Sequence, residues 1–107
     1  MEMHETEKNG YKIIAFSGNL DTGTSPMAQE RVNTCIDNGD LKLLFNFEKT
    51  NYMSSSGLRV LLTTAKKLRG RGELRISNLN SVIEEVFDVS GFNSILNVYT
   101  TEEQALS

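Results

Sequence analysis

The sequence predicts an α/β fold. It should form one mixed β-sheet, with an N-terminal hairpin and then mostly parallel strands, packed with about four helices. Two observations carry this. Short strand-like runs alternate with amphipathic helical stretches along most of the chain, which implies right-handed crossovers and parallel pairing. Before that alternation begins, Lys8-Asn9-Gly10 separates two strand-like runs, which is a hairpin signal. The length of 107 residues suits a single domain spanning residues 1–107, enough for one core and not for two.

The elements follow in order. Residues 2–8 are acidic with weak alternation and read as a short edge strand, and Tyr11-Lys12-Ile13-Ile14-Ala15-Phe16-Ser17 is its partner. Gly18-Asn19-Leu20-Asp21-Thr22-Gly23 reads as a loop. Ser25 then serves as an N-cap, with Pro26 at the first helical position, where its missing N–H costs nothing. Ala28, Val32, Cys35 and Ile36 share one helical face until Gly39 stops the helix. Leu41 to Phe47 is nearly continuous and apolar, as in a strand covered on both sides. Tyr52-Met53-Ser54-Ser55-Ser56-Gly57 reads as a turn, and a helix opens at Leu58. That helix sets Leu58, Leu61, Leu62, Ala65 and Leu68 on its inner side, and Gly70 and Gly72 end it. Glu73-Leu74-Arg75-Ile76-Ser77 alternates as a strand. Ser81-Val82-Ile83-Glu84 has capping-box spacing, with Val82, Val86, Phe87 and Val89 as the apolar members of the helix it starts. Asn97-Val98-Tyr99 is a last short strand, and Thr100-Thr101-Glu102-Glu103 caps a terminal helix ending at Leu106.

Composition removes several function classes. Apolar residues make up 38% and charged residues 23%, so the chain has the means to bury a core and should not be disordered. A net charge of −3 argues against a sequence-independent nucleic-acid binder, which needs a basic patch to neutralise phosphates. The cluster Lys66, Lys67, Arg69 and Arg71 reads as a solvated helix end complementing the dipole. No stretch approaches a membrane span, and Met1-Glu2-Met3-His4-Glu5 is unlike a signal peptide, so the expectation is a soluble cytoplasmic protein. Cys35 is the single cysteine, which leaves no disulfide and no thiolate cage, and it reads as a small core residue.

Enzymatic readings lack their parts. No G-x-G-x-x-G follows a strand, no G-x-x-x-x-G-K-[ST] exists, and Gly70-Arg71-Gly72 closes a helix instead of opening one. A nucleophile elbow is absent, and the sole histidine, His4, lies near the chain start. No carboxylate pair stands with histidine at ligand spacing, so neither metal nor cofactor is expected. The chain reads as something acted upon rather than as an enzyme.

The segment that remains is the serine turn. A helix N-terminus presents free N–H groups and a partial positive charge, so a hydroxyl held there is well placed to carry a phosphate. One serine suffices for a cap, and here there are three, Ser54, Ser55 and Ser56. On a helical wheel Val60 points away from Leu58, Leu61 and Ala65, among Arg59, Thr63, Thr64 and Lys67. Together with Met53 and the serine turn it would extend a contact patch for another protein. The loop carrying Asp21 would approach the same edge, since loops after parallel strands gather at their carboxyl ends. Asp21 equally fits an Asx turn flanking the helix.

These residues resemble a known family. Gly18-x-Leu20-Asp21, the strand Leu43 to Phe47, and Tyr52-Met53-x-Ser55-Ser56-Gly57-Leu58-x-Val60-Leu61-Leu62 are similar to the STAS domain of anti-sigma-factor antagonists. So are Leu79-Asn80-Ser81 through Phe87-x-x-Ser90-Gly91-Phe92, and Thr101-Glu102-Glu103-Gln104-Ala105-Leu106. The resemblance covers essentially the whole chain in consistent order. It implies a mixed sheet with an N-terminal hairpin and a partner-switching role. In that family the unphosphorylated antagonist binds an anti-sigma factor that is a serine kinase, phosphorylation ends the complex, and a serine phosphatase restores it. The matching acceptor is Ser55, with Ser54 or Ser56 as lesser candidates. The implied partner-binding residues are Asp21, Met53, Ser54, Ser56, Gly57, Arg59, Val60 and Thr63. Ser54 stands where the family usually carries aspartate. The alternative is a non-phosphorylated STAS subunit of a larger assembly, such as a lipid or anion transporter complex.

Overall fold

The computed structural model describes residues 1–107. Its sheet has six strands, in the order β1-β2-β3-β5-β6 with β4 paired to β2. β1 (Glu2–Lys8) and β2 (Tyr11–Leu20) are antiparallel, joined where Asn9 and Gly10 take φ of 54° and 83°. Two consecutive positive φ values match the right-handed twist of a tight hairpin, and Asn-Gly supplies them at low cost. β3 (Lys42–Asn46), β5 (Glu73–Ser77) and β6 (Asn97–Tyr99) then add in parallel. The expected hairpin and parallel remainder are both present.

β2 is the organising strand. Beyond its pairing with β3, its last residues pair in parallel with β4 (Thr50–Met53), matching Gly18 with Thr50 and Leu20 with Met53. The expected loop at residues 18–20 is therefore strand, and the expected turn at Tyr52–Met53 is strand as well. Leu20 and Met53 are fully buried, and the Thr50 hydroxyl donates to the Phe16 carbonyl at 2.7 Å. Burial at both ends of so short a strand, not alternation within it, holds β4 in place.

Helices α1 (Ser25–Asp37), α2 (Ser55–Leu68) and α3 (Ser81–Ser90) pack on one sheet face around Ile14, Phe16, Phe45, Phe47 and Ile76. Phe16 sits 5.1 Å from both Phe45 and Phe47 between ring centroids, a compact aromatic centre. Cys35 is buried among these side chains. The N-cap position of α1 falls on Thr24 instead of Ser25, and the Ser25 hydroxyl donates to the Asp21 carbonyl. α2 begins at Ser55, three residues earlier than its apolar pattern suggested.

Two helices bury other faces than their patterns suggest. Val60 is 3% exposed and Thr64 is fully buried, although both fall on the outer side of the wheel. α1 packs along that side of α2, so α2 buries a second row between the helices. In α3 the cap is Asn80, whose side chain accepts from the Ile83 N–H at 2.8 Å, one residue before the expected Ser81. Ile83 and Phe87 enter the core, whereas Val82 and Val89 stand 54% and 84% exposed.

The opposite sheet face carries a smaller core of Tyr11, Ile13, Leu44 and Ala105, covered by α4 (Glu102–Leu106). The Tyr11 hydroxyl donates to Glu73, and the Arg75 guanidinium lies 4.9 Å from the Tyr11 ring centroid while donating to the Ala105 carbonyl. Burial and the Glu73 carboxylate push the Tyr11 phenol up, and the Tyr11 hydrogen bond, aided by Arg75, holds Glu73 below its ordinary value. A depressed carboxyl contributes stability that is present above its unfolded value of ~4.3 and is lost as pH falls through the folded one. Thermal melts from about pH 6 to about pH 3 should therefore show a smaller acid-induced loss for Glu73→Gln than for the natural chain. Identical pH slopes would contradict this role.

Candidate functional site

The site is the junction between β4 and α2. The Ser54 N–H donates to the Leu20 carbonyl at 2.9 Å, which ties the turn to the end of β2. Ser54 has extended backbone, and its hydroxyl accepts from the Gly57 N–H at 3.3 Å, the bond that defines an N-cap. Its carbonyl accepts from the Leu58 N–H at 3.0 Å, so the first turn closes on this residue.

Gly57 explains why the helix can start so close to the strand. A Cβ on Gly57 would lie 2.6 Å from the Leu20 carbonyl oxygen and 2.8 Å from Met53 Cγ. Both are far inside normal contact, and the backbone carbonyl has nowhere to go. Only glycine lets the first turn of α2 rest on the ends of β2 and β4.

Ser55 is the first residue of α2 and is exposed. Its hydroxyl engages no other group of the chain, and the N–H groups of Ser55 and Ser56 donate to nothing. The turn thus presents a free alcohol beside two unengaged donors at the positive end of a helix dipole. Arg59, one turn further along the same helix, is exposed and forms no ion pair.

The neighbouring loop comes within reach of this turn. The hydroxyls of Thr22 and Ser56 lie 3.3 Å apart. Asp21 Oδ1 accepts from the N–H groups of Gly23 and Thr24 at 3.0 and 3.1 Å, so its carboxylate is spent on the turn leading into α1. Between the first turns of α1 and α2 runs an open groove of about 440 Å³. Pro26 and Gln29 form one wall, and Ser56, Arg59 and Thr63 form the other.

Of the expected partner-binding residues, Ser56 and Thr63, half-buried, and Arg59, exposed, line this groove, whereas Asp21 and Ser54 are half-buried and lie outside its lining. Three are not displayed as expected. Met53, 1% exposed, and Gly57 are packed beneath the turn, and Val60 lines the groove from below as a core residue. They shape the surface rather than project from it. Sequence reasoning brought the Asp21 loop to this edge but missed the first turn of α1: Pro26 and Gln29 line the groove beside Thr22, and Met27 and Tyr52 are about half exposed at this end. The available signal was Pro26, because parallel crossovers bring the starts of both helices to the same end of the sheet.

The family model described as the STAS domain matches residues 2–105. The chain belongs to the STAS domain family. A Bordetella bronchiseptica protein provisionally named as the anti-sigma factor antagonist BtrV is 31% identical over 98% of this chain and 91% of its own length. The anti-sigma F factor antagonist of Paenibacillus polymyxa is 29% identical over 100% of this chain and 90% of its own length. The crystal structure of an anti-sigma factor antagonist from Mycobacterium paratuberculosis superposes with a TM-score of 0.91 at 18% identity, covering 98% of this chain and 90% of that one. It shares the STAS fold.

The packing at Gly57 yields a stability prediction. Gly57→Ala should destabilise the domain by about 1–3 kcal/mol, the usual cost of overpacking. Ser55→Ala, at an exposed position, should stay within about 0.5 kcal/mol. Urea denaturation compares the two, and a Gly57→Ala midpoint equal to that of the natural chain would contradict the contact.

Proposed function

We propose that this STAS domain is an anti-sigma-factor antagonist. It is a cytoplasmic, non-enzymatic module that binds an anti-sigma factor with serine kinase activity. Phosphorylation of Ser55 releases it, and a serine phosphatase restores it. The observation that carries this reading is the exposed Ser55 hydroxyl, unengaged, at the start of α2 beside the α1–α2 groove. The names of the relatives supply the class of partner.

The physics of release is local. A phosphate adds about −1.5 to −2 charge and several acceptor oxygens. Within the free domain it meets the unengaged N–H groups of the first turn. Docked against a kinase site that holds a nucleotide, it meets like charge and loses hydration. Such juxtaposition costs several kcal/mol, and each ~1.4 kcal/mol is tenfold in affinity. The complex separates while the core of the antagonist stays intact.

The test is incubation with a purified kinase-type anti-sigma factor and ATP, followed by intact-mass measurement and site mapping. One phosphate on Ser55, lost in Ser55→Ala, is expected. Ser55→Asp should weaken binding at least about tenfold with an unchanged far-UV CD spectrum. Wild-type affinity in that variant would remove the interface from consideration.

One observation favours a second reading. Ser54 preserves the cap bond that an aspartate would make, yet it lacks the negative charge expected beside the acceptor. A non-phosphorylated STAS subunit of a larger transporter assembly would need only the cap. Absence of phosphate incorporation, together with stable binding to a membrane ATPase subunit, would select it.

A further inference from the structure

The charge of this chain is unevenly distributed. Residues 76–107 hold five carboxylates and no lysine or arginine, so every cation lies in the first 75 residues. α3 belongs to this acidic part. Glu84, Glu85 and Asp88 are its charged residues, all three are exposed, and none takes part in an ion pair.

The same helix displays an apolar row that the fold covers only in part: Val82 and Val89 are exposed, and Val86 between them is half-buried against the core. Val82, Val86 and Val89 recur at i, i+4 and i+7, the spacing of one helical stripe. With Ile83 and Phe87 committed to the core, this stripe lines a shallow concavity of about 360 Å³ together with Glu85 and Ser90. It belongs to α3, whereas the groove beside Ser55 lies between α1 and α2. Isolated exposed valines need no explanation, but two in register, joined by the half-buried Val86 and beside an unneutralised carboxylate, make a patterned surface.

We propose that the outer face of α3 is a second docking surface, which receives a cationic amphipathic helix from another polypeptide. Valine anchors at i, i+4 and i+7 match the apolar face of such a helix, and Glu85 with its acidic neighbours matches the basic flank. A second copy of this chain fits poorly. Two α3 stripes placed face to face would set Glu85 against Glu85. The chain's own basic cluster of Lys66, Lys67, Arg69 and Arg71 offers charge, but the large exposed apolar side chains Met27, Tyr52, Val82, Val89 and Ile95 all lie outside it.

The test uses the full chain, ¹⁵N-labelled, titrated with a leucine–lysine helical peptide of about 14 residues, about 21 Å long. A leucine–glutamate peptide of equal length is the control. Saturable shift changes should centre on Val82, Glu85, Val86 and Val89 with the lysine peptide, and binding of the control should be at least tenfold weaker. Val89→Ser and Glu85→Lys, both at exposed positions, should each weaken the lysine peptide at least fivefold while preserving the melting temperature. Four results would overturn the proposal. They are absence of binding, equal binding of both peptides, shifts centred on Ser56, Arg59 and Thr63, and concentration-dependent shifts at α3 without any peptide.

Discussion

The approach of Gly57 to the Leu20 carbonyl determines how the serine turn is presented. β2 is long enough to hold β3 along its middle and β4 at its end, and the end carbonyl of Leu20 receives the Ser54 N–H. The space left beside that carbonyl is too small for any Cβ. α2 therefore starts at a fixed point, with Ser54 spent on the cap and Ser55 turned out to solvent. A larger residue at Gly57 would push the first turn of α2 away from the Leu20 carbonyl.

This arrangement separates the packed core from the exposed hydroxyl of the turn. The residues beneath the turn, Met53, Leu58, Val60 and Leu61, are buried and connect it to the aromatic centre of the sheet. The hydroxyl of Ser55 and the two free N–H groups make no contribution to that packing. A charge added to Ser55 would lie beside the free N–H groups of the first turn, and the core would have no contact to break. The α1 wall of the groove is positioned by its own local turn, with Asp21 and Thr24 closing it and Thr22 touching Ser56.

Much of this was legible in the residues because local signals agreed with the global fold. Glu73–Ser77 and Asn97–Tyr99 are strands at the bounds their patterns suggest, and the Asn9-Gly10 turn is where its φ preferences require. The serine turn was recognisable because three hydroxyls precede an apolar helix. What escaped depends on neighbours that no wheel contains. Val60 looked exposed because helical periodicity marks one buried face, and α1 buries a second. β4 looked like a turn because its order comes from pairing with β2, remote in sequence. Val86 packs against the core as expected, but Val82 and Val89 only looked like core, because apolar character says what could be covered and not what is, and a cap at Asn80 turns Ile83 and Phe87 inward instead.

The central claim is that modification of Ser55 alters a surface and leaves the fold beneath it unchanged. It is tested most directly by comparing amide spectra of the ¹⁵N-labelled domain with and without genetically encoded phosphoserine at position 55. Shift changes should be confined to Thr22 and to residues 54–60, with the resonances of Ile14, Phe16, Phe45 and Ile76 unmoved. Changes or line broadening spread through β2, β4 and the aromatic centre would contradict it.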